Sequence, residues 1–394
     1  MSLSLWYTRT TTITPGGAQT YSRMHGKMGP TSYPIFATRA EGAYLWATAD
    51  GSTTRKYIDL AGANATAPLG FNRPEIVEAV RAELGSGGTM SLPTKVELYA
   101  SEKMVEAVPY AEMVRWVRTG SEAVSGAIRC ARAVTGKSLV IVFDGAYHGW
   151  HPWTADSHGR ASLGLSELTA DGLDASLWTK QPLSDVAAIV VEPPRFDKID
   201  FAYVRWLEGV RRLCSEHHVA LIYDDVVFGF RFATGGLQEA TDVRADLACF
   251  SKALGNGVPV GCLVGSRDFL KDTPVSSTFG GETTGLAAAL AVLRLHESQD
   301  ICAQLEAVGI AFRSRLVDAL KDSPITVHGT PQHFYFQVGG ETTGASFNAW
   351  LSRCESEGVL IHATANNISL AFTDPIIDRV VDAIERVRMY RDSI

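Results

Sequence analysis

Between residues 114 and 264 the sequence repeats one alternation, a short apolar run followed by a stretch with apolar positions three or four apart. The runs lie at 114–117, 139–143, 187–191, 219–223, 247–250 and 260–264. Unbroken apolar runs of that length suit strands covered on both faces. Helical patterns separate them at 122–134 and 203–217, the second with Val204, Leu207, Val210 and Leu213 on one side. Strand and helix in alternation predict an α/β domain with a largely parallel sheet.

The flanks read differently. The first twenty residues are rich in Thr and turn residues (Thr14-Pro15-Gly16-Gly17), which predicts an arm lying on a partner surface. The Asp50-Gly51 pair near two strand-like runs predicts a hairpin, and 74–84 reads as a helix. A long helical stretch at 284–320 is broken around 298–300. Beyond it, strand-like 333–338 and 368–372 flank helical 346–357, and an amphipathic helix at 375–389 closes a second, smaller α+β domain.

With 394 residues the chain can bury at least one large core. A net charge of −7 offers no electrostatic footprint for nucleic acid or an anionic membrane, so a small-molecule partner is the default. No apolar run reaches the roughly 18 residues of a membrane span, and residues 1–14 do not read as a secretory leader, which predicts a cytoplasmic protein. Six scattered cysteines without a C-x-x-C pair predict buried, reduced thiols.

Four short motifs carry chemistry, and each has a bland counterpart. Thr119-Gly120-Ser121-Glu122-Ala123 follows a strand and opens a helix. Its free N–H groups and the Ser121 hydroxyl suit an anion, although Ser121 also reads as an ordinary N-cap. Tyr147-His148-Gly149-Trp150 follows the next strand, where an aromatic ring either stacks on a flat heterocycle or packs the loop. His148, His151 and His158 have no partner at metal-ligand spacing, so no metal is expected. Asp224 and Asp225 leave a buried strand, as an internal salt bridge or as a carboxylate holding a proton on a bound heteroaromatic nitrogen. Lys252 follows another apolar strand, where desolvation favours the neutral amine that Schiff-base chemistry needs. The adjacent Gly255-x-Gly257 lacks the third glycine and the acidic residue of a dinucleotide loop.

Anion loop, stacking ring, nitrogen-binding Asp and Schiff-base Lys, in this order, are the parts of a pyridoxal-phosphate site. From about Gly16 onward the sequence resembles the class III aminotransferases of pyridoxal-phosphate fold type I, in the glutamate-1-semialdehyde aminomutase-like branch. Its most specific stretches are Gly120-Ser-Glu-Ala, Tyr147-His-Gly149, Glu192-Pro193, Tyr223-Asp-Asp-Val, Ser251-Lys252 and Ser277-Thr-Phe-Gly-Gly281. The resemblance implies a seven-stranded, mostly parallel sheet in a large cofactor-binding domain at 61–297. An N-terminal arm and hairpin at 1–60 would join a C-terminal small domain at 298–394. It further implies that Lys252 forms the Schiff base, Asp224 binds the pyridine nitrogen, and Tyr147 and Val226 cover the two ring faces. Gly120 and Ser121 would hold the phosphate with Thr278 of a neighbouring subunit, in a homodimer with shared sites. His148 and Glu192 complete the cofactor-binding set.

Several positions depart from the family pattern. Asp225 stands where the family usually has Glu. Pro194-Arg195-Phe196-Asp197 follows Glu192-Pro193 and matches neither the usual aminotransferase nor the aminomutase sequence. No arginine lies between Arg353 and Arg379, where ornithine-type relatives carry a carboxylate-binding one. The segment 147–192 is short for an aminomutase lid. The resulting expectation is amino-group transfer on a small amine or amino acid, with glutamate a poor donor and Arg39 or Arg23 as the cation for a carboxylate. Decarboxylation, racemisation or aminomutation on the same scaffold is the alternative, and a non-catalytic binding protein the third reading. Arg23, Arg39, Asn64, Trp150, His151 and Asp197 are the candidate pocket residues.

Overall fold

The computed structural model describes residues 5–48, 53–143, 145–154, 160–163, 183–272 and 275–388, with the backbone only at 160–163. They form two compact units, one from residues 1–73 and 303–394, the other from 74–302.

In the first unit, β1 (Phe36–Glu41), β2 (Tyr44–Thr48) and β3 (Arg55–Asp59) form an antiparallel meander. The expected Asp50-Gly51 turn between β2 and β3 lies outside the described residues. The N-terminal segment forms a helix, Leu5–Ile13, that buries none of its residues. Its threonines are tolerated because Thr10, Thr11 and Thr12 donate their hydroxyls to carbonyls one turn back.

After β3 the backbone makes a left-handed turn in which Gly62, Ala63, Asn64 and Ala65 all have φ between 51° and 67°. Three of these residues carry a Cβ, at a cost of about 1–2 kcal/mol each. The Asp59 carboxylate offsets part of this by accepting the Ala61 N–H at 2.9 Å, and the N–H groups of Gly62 and Ala63 also favour its ionised form. Asn367 Nδ2 donates to the Ala61 carbonyl at 2.9 Å and closes the turn from the other side.

The second unit is built on a seven-stranded sheet. Its strands are β4 (Met113–Val117), β5 (Leu139–Phe143), β6 (Arg160–Leu163), β7 (Val186–Val191), β8 (Ala220–Asp224), β9 (Leu247–Phe250) and β10 (Gly261–Gly265), in the order β4-β10-β9-β8-β7-β5-β6. Only β10 is reversed, so β4, β9, β8, β7 and β5 all end at one edge. All six residues of β7 are buried, as expected for a central strand covered on both faces.

One face is covered by helix Gly120–Thr135, whose Ala123, Val124, Ala127, Ile128 and Ala131 pack on Val190, Ile222, Cys249 and Leu263. Helix Phe201–Glu216 buries Trp206, Leu207 and Val210, and Trp206 meets Phe143 edge-on at 5.3 Å between ring centroids. The long C-terminal helical stretch divides into Thr283–Ser298 and Ile301–Ala319, because Gln299 is extended.

The first unit is completed by β11 (Ile325–Gly329), β12 (His333–Val338), β13 (Val359–Leu360) and β14 (Asn366–Asn367), with helices Ala345–Ser356 and Asp374–Arg386. β13 joins β3 in parallel, and β11-β12-β14 form a separate sheet. Here one expectation fails: 368–372 is not a strand. Ile368 donates to the Gln332 carbonyl, Leu370 to Pro68 and Phe372 to Ser369, so local and loop partners satisfy this backbone in place of a ladder.

Cys130, Cys214, Cys249, Cys262 and Cys354 are buried and Cys302 half-buried, and none of the six forms a disulfide among the described residues. Among the described residues no helix is long and apolar enough to cross a membrane.

Candidate active site

The common edge of β4, β5, β7, β8 and β9 gathers the polar groups of the second unit, as open α/β sheets do at the carboxyl ends of their strands. At the end of β4, Thr119 rather than Ser121 is the N-cap. Its hydroxyl accepts the Glu122 N–H at 3.2 Å, and Glu122 Oε2 accepts the Thr119 N–H at 2.9 Å. This capping box corrects the N-cap reading of Ser121. It also leaves the Gly120 and Ser121 N–H groups, at the positive end of a 16-residue helix, for an anion.

Glycines shape the cradle around this terminus. A Cβ on Gly120 would stand 2.8 Å from the Val226 side chain. One on Gly149, at φ 95°, would come within 2.8 Å of Ser121 Cβ. The 147–154 loop is pinned to the same helix: Ser125 Oγ lies 2.6 Å from His151 Nδ1 and accepts the Trp153 indole N–H at 2.9 Å.

His148 and Asp224, far apart in sequence, meet behind this cradle. His148 Nδ1 lies 2.7 Å from Asp224 Oδ2, and both side chains are buried. The other Asp224 oxygen faces the Val226 N–H at 3.3 Å. His148 Nε2 is buried and has no hydrogen-bond partner among the described residues.

Asp225 points elsewhere. It is fully buried, accepts the Leu237 N–H at 2.9 Å and packs against Gly236, where no side chain would fit. Burial pushes its carboxyl well above the usual range.

After β7, Glu192 is almost buried and accepts the Tyr147 N–H at 2.9 Å, while Arg195 Nε stands 3.3 Å from its other oxygen. Burial raises the Glu192 carboxyl, against the pull of Arg195.

Lys252 opens a short 3-10 turn after β9 with φ 45°, a left-handed conformation that a non-glycine residue adopts only when its surroundings hold it. Desolvation pushes its amine below the usual lysine range, opposed by the nearby Asp224 and Glu192 carboxylates. Desolvation of this kind favours the neutral amine.

Gly120, Ser121, Tyr147, His148, Glu192, Asp224, Val226 and Lys252 thus share one sheet edge. Thr278 is exposed and hydrogen-bonds to none of them. Tyr147 turns 58% of its surface to solvent and Trp150 78%. Arg23 and Asn64 line a cavity of about 420 Å³ in the first unit, together with Tyr33, Phe36, Phe71 and His362. Arg39 pairs with Glu41 and lies over the Trp46 ring at 4.8 Å, and Asp197 is exposed. His158 and most of the expected lid segment lie outside the described residues.

The class III aminotransferase family model matches residues 26–162 and 166–387. The chain belongs to the class III aminotransferases. Glutamate-1-semialdehyde 2,1-aminomutase of Syntrophobacter fumaroxidans is 34% identical to it over 335 residues, 78% of this chain and 75% of that protein. The aminomutase of Methanothrix thermoacetophila is 30% identical over 376 residues, 90% and 85% of the two chains. The FumI protein of a Sphingopyxis species, solved in its pyridoxal-phosphate internal aldimine form, superposes with a TM-score of 0.86 at 26% identity, covering 97% of this chain and 94% of that one.

As a class III enzyme the protein depends on pyridoxal phosphate, and its site fits that group. Free helix N–H groups suit the phosphate, glycine-lined space suits the ring, a buried carboxylate suits the ring nitrogen, and a desolvated amine suits the aldehyde. Sequence reasoning assigned no role to the Arg195 contact with Glu192, although the unusual Pro194-Arg195 pair marked the position.

Proposed function

We propose that this class III aminotransferase moves the amino group of a small amine or amino acid, with Lys252 as its base and Asp224 as the anchor of the cofactor nitrogen. When bound, pyridoxal phosphate supplies an aldehyde that condenses with amines and a protonated ring that accepts electrons from the bond broken at the substrate carbon. Gly120 and Ser121 N–H groups would hold the phosphate, with Val226 against one ring face and Tyr147 against the other. Asp224 would face the ring nitrogen, and His148, 2.7 Å from it, fixes the side chain's orientation. Lys252, whose charged form desolvation disfavours, would take the proton from the substrate carbon and return it on the cofactor side.

The observation that carries this reading is Lys252 itself: a desolvated amine in strained backbone at the sheet edge, acted on by Asp224 and Glu192. Borohydride reduction of the holoenzyme tests it. The label is expected on Lys252, and none on the Lys252→Ala variant; recovery on another lysine overturns the assignment. We read Thr278 as a phosphate ligand of a neighbouring subunit in a homodimer, a reading supported by the exposure of Thr278 and Phe279. Mostly buried cysteines without a disulfide among the described residues support a reducing cytoplasmic setting.

A further inference from the structure

One cation at the sheet edge has no part in the roles above. β7 ends at Val191 between β5 and β8, so Glu192 leaves the sheet beside the strand that delivers Asp224. Two prolines follow, with fixed φ and no N–H to donate, and Arg195 comes back over Glu192. Its Nε stands 3.3 Å from Glu192 Oε1. Among the described residues this carboxylate is its only polar partner, which leaves both terminal nitrogens uncommitted.

Glu192 is 7% exposed and Arg195 34%, so the pair is a buried acid under a guanidinium that solvent and solutes reach. Strands stand about 4.8 Å apart, and β9, which delivers Lys252, lies two strands from β7. Arg195 and Arg231 both lower the affinity of the Lys252 amine for its proton, and Arg231 is fully buried. Only Arg195 of these two is open to a ligand. Of the two earlier candidates, Arg39 pairs with Glu41 and lies over Trp46, and Arg23 donates to the Thr20 hydroxyl at 2.6 Å in the first unit.

We propose that Arg195 receives the substrate's carboxylate, so that the preferred substrate is an amino acid rather than a bare amine. Glu192 holds the guanidinium at Nε, and the two terminal nitrogens then face outward as an end-on fork matched to a carboxylate. This rests on the amino-transfer reading and names its substrate class.

The test pairs each of several β- and ω-amino acids with the amine that lacks its carboxylate. Wild-type holoenzyme should favour the acid member in kcat/KM by at least tenfold. Arg195→Gln should lower kcat/KM for the acids 100-fold or more and for the amines less than threefold, with Arg195→Lys between. Propionate and butyrate, which carry no amine, should shift the holoenzyme's cofactor absorption with a Kd at least tenfold weaker in Arg195→Gln. Equal losses for acids and amines, or unchanged carboxylate binding in a variant that retains the cofactor spectrum, overturn the proposal. The carboxylate titration needs no turnover. A wild type that binds propionate through Arg195 yet transfers no amino group would defeat the amino-transfer reading and leave the carboxylate site standing.

Discussion

Asp59 allows two opposed effects to be weighed in one experiment. Backbone N–H groups of the left-handed turn favour its carboxylate, while complete burial favours the neutral acid. Burial wins, and the pKa rises from 3.8 to about 6. Because the folded state then holds the proton more tightly than the unfolded chain, this residue's contribution is most favourable below pH 3.8 and is lost as pH rises through about 6. Two pKa units correspond to about 3 kcal/mol at neutral pH, of which about 1 kcal/mol is already incurred at about pH 4.5. Asp59→Asn keeps an acceptor for the Ala61 N–H and cannot ionise. Denaturant unfolding of both proteins from about pH 4.5 to about pH 7 should therefore show wild type losing about 2 kcal/mol relative to the variant. Every other titrating group cancels in this difference. A wild-type advantage that grows with pH would mean that the turn's N–H groups outweigh desolvation, and the reasoning would be refuted.

Two further outcomes concern the cofactor. Asp224→Asn should slow substrate Cα proton loss by about 10²-fold or more, since a neutral amide cannot stabilise a protonated ring nitrogen; Asp225→Asn, replacing an acid whose charged form burial disfavours, should cost far less, and stopped-flow spectra of the half-reaction order the two. Gly149→Ala places a methyl against Ser121 at a positive φ, so pyridoxal phosphate should bind at least tenfold more weakly by titration of the apoprotein, whereas Gly145→Ala, also at positive φ but with open space around it, should leave cofactor affinity within about threefold.

The central sheet was legible because its strands are buried on both faces and so read as unbroken apolar runs, β7 most clearly. β6 was not, being an edge strand paired with β5 alone, and neither were β13 and β14, two residues each, which exist through tertiary pairing. The left-handed turn at 62–65 had no sequence signal either, since Ala63 and Ala65 argue for ordinary helix. Asp59 and Asn367, arriving from distant segments, hold it. At the site, residues that directly follow strands could be found by their position after apolar runs. Their partners could not, because His148 and Asp224 are 76 residues apart. The cap was legible and passed over: Thr119-x-x-Glu122 spells the capping box that relieves Ser121.

The adjacent acids show where sequence reasoning stops and geometry takes over. Successive side chains at a strand end point to opposite sides, so Asp224 and Asp225 cannot share one environment. Asp224 meets His148. Asp225 meets one backbone N–H, the bare face of Gly236 and, among the described residues, no partner for its second oxygen, surroundings that suit a neutral acid. Asp224 and Glu192 are the carboxylates that favour the Lys252 cation. With Glu192 shared by Arg195, desolvation prevails at Lys252. A substrate carboxylate on Arg195 would bring one more negative charge toward that amine and make the lysine a stronger base when an amino acid is bound. The acid-over-amine preference should accordingly widen as pH rises, because the stronger base stays protonated further up the pH scale and acts in full only where Lys252 is neutral with either substrate, and a preference that is flat in pH would assign Arg195 to binding alone.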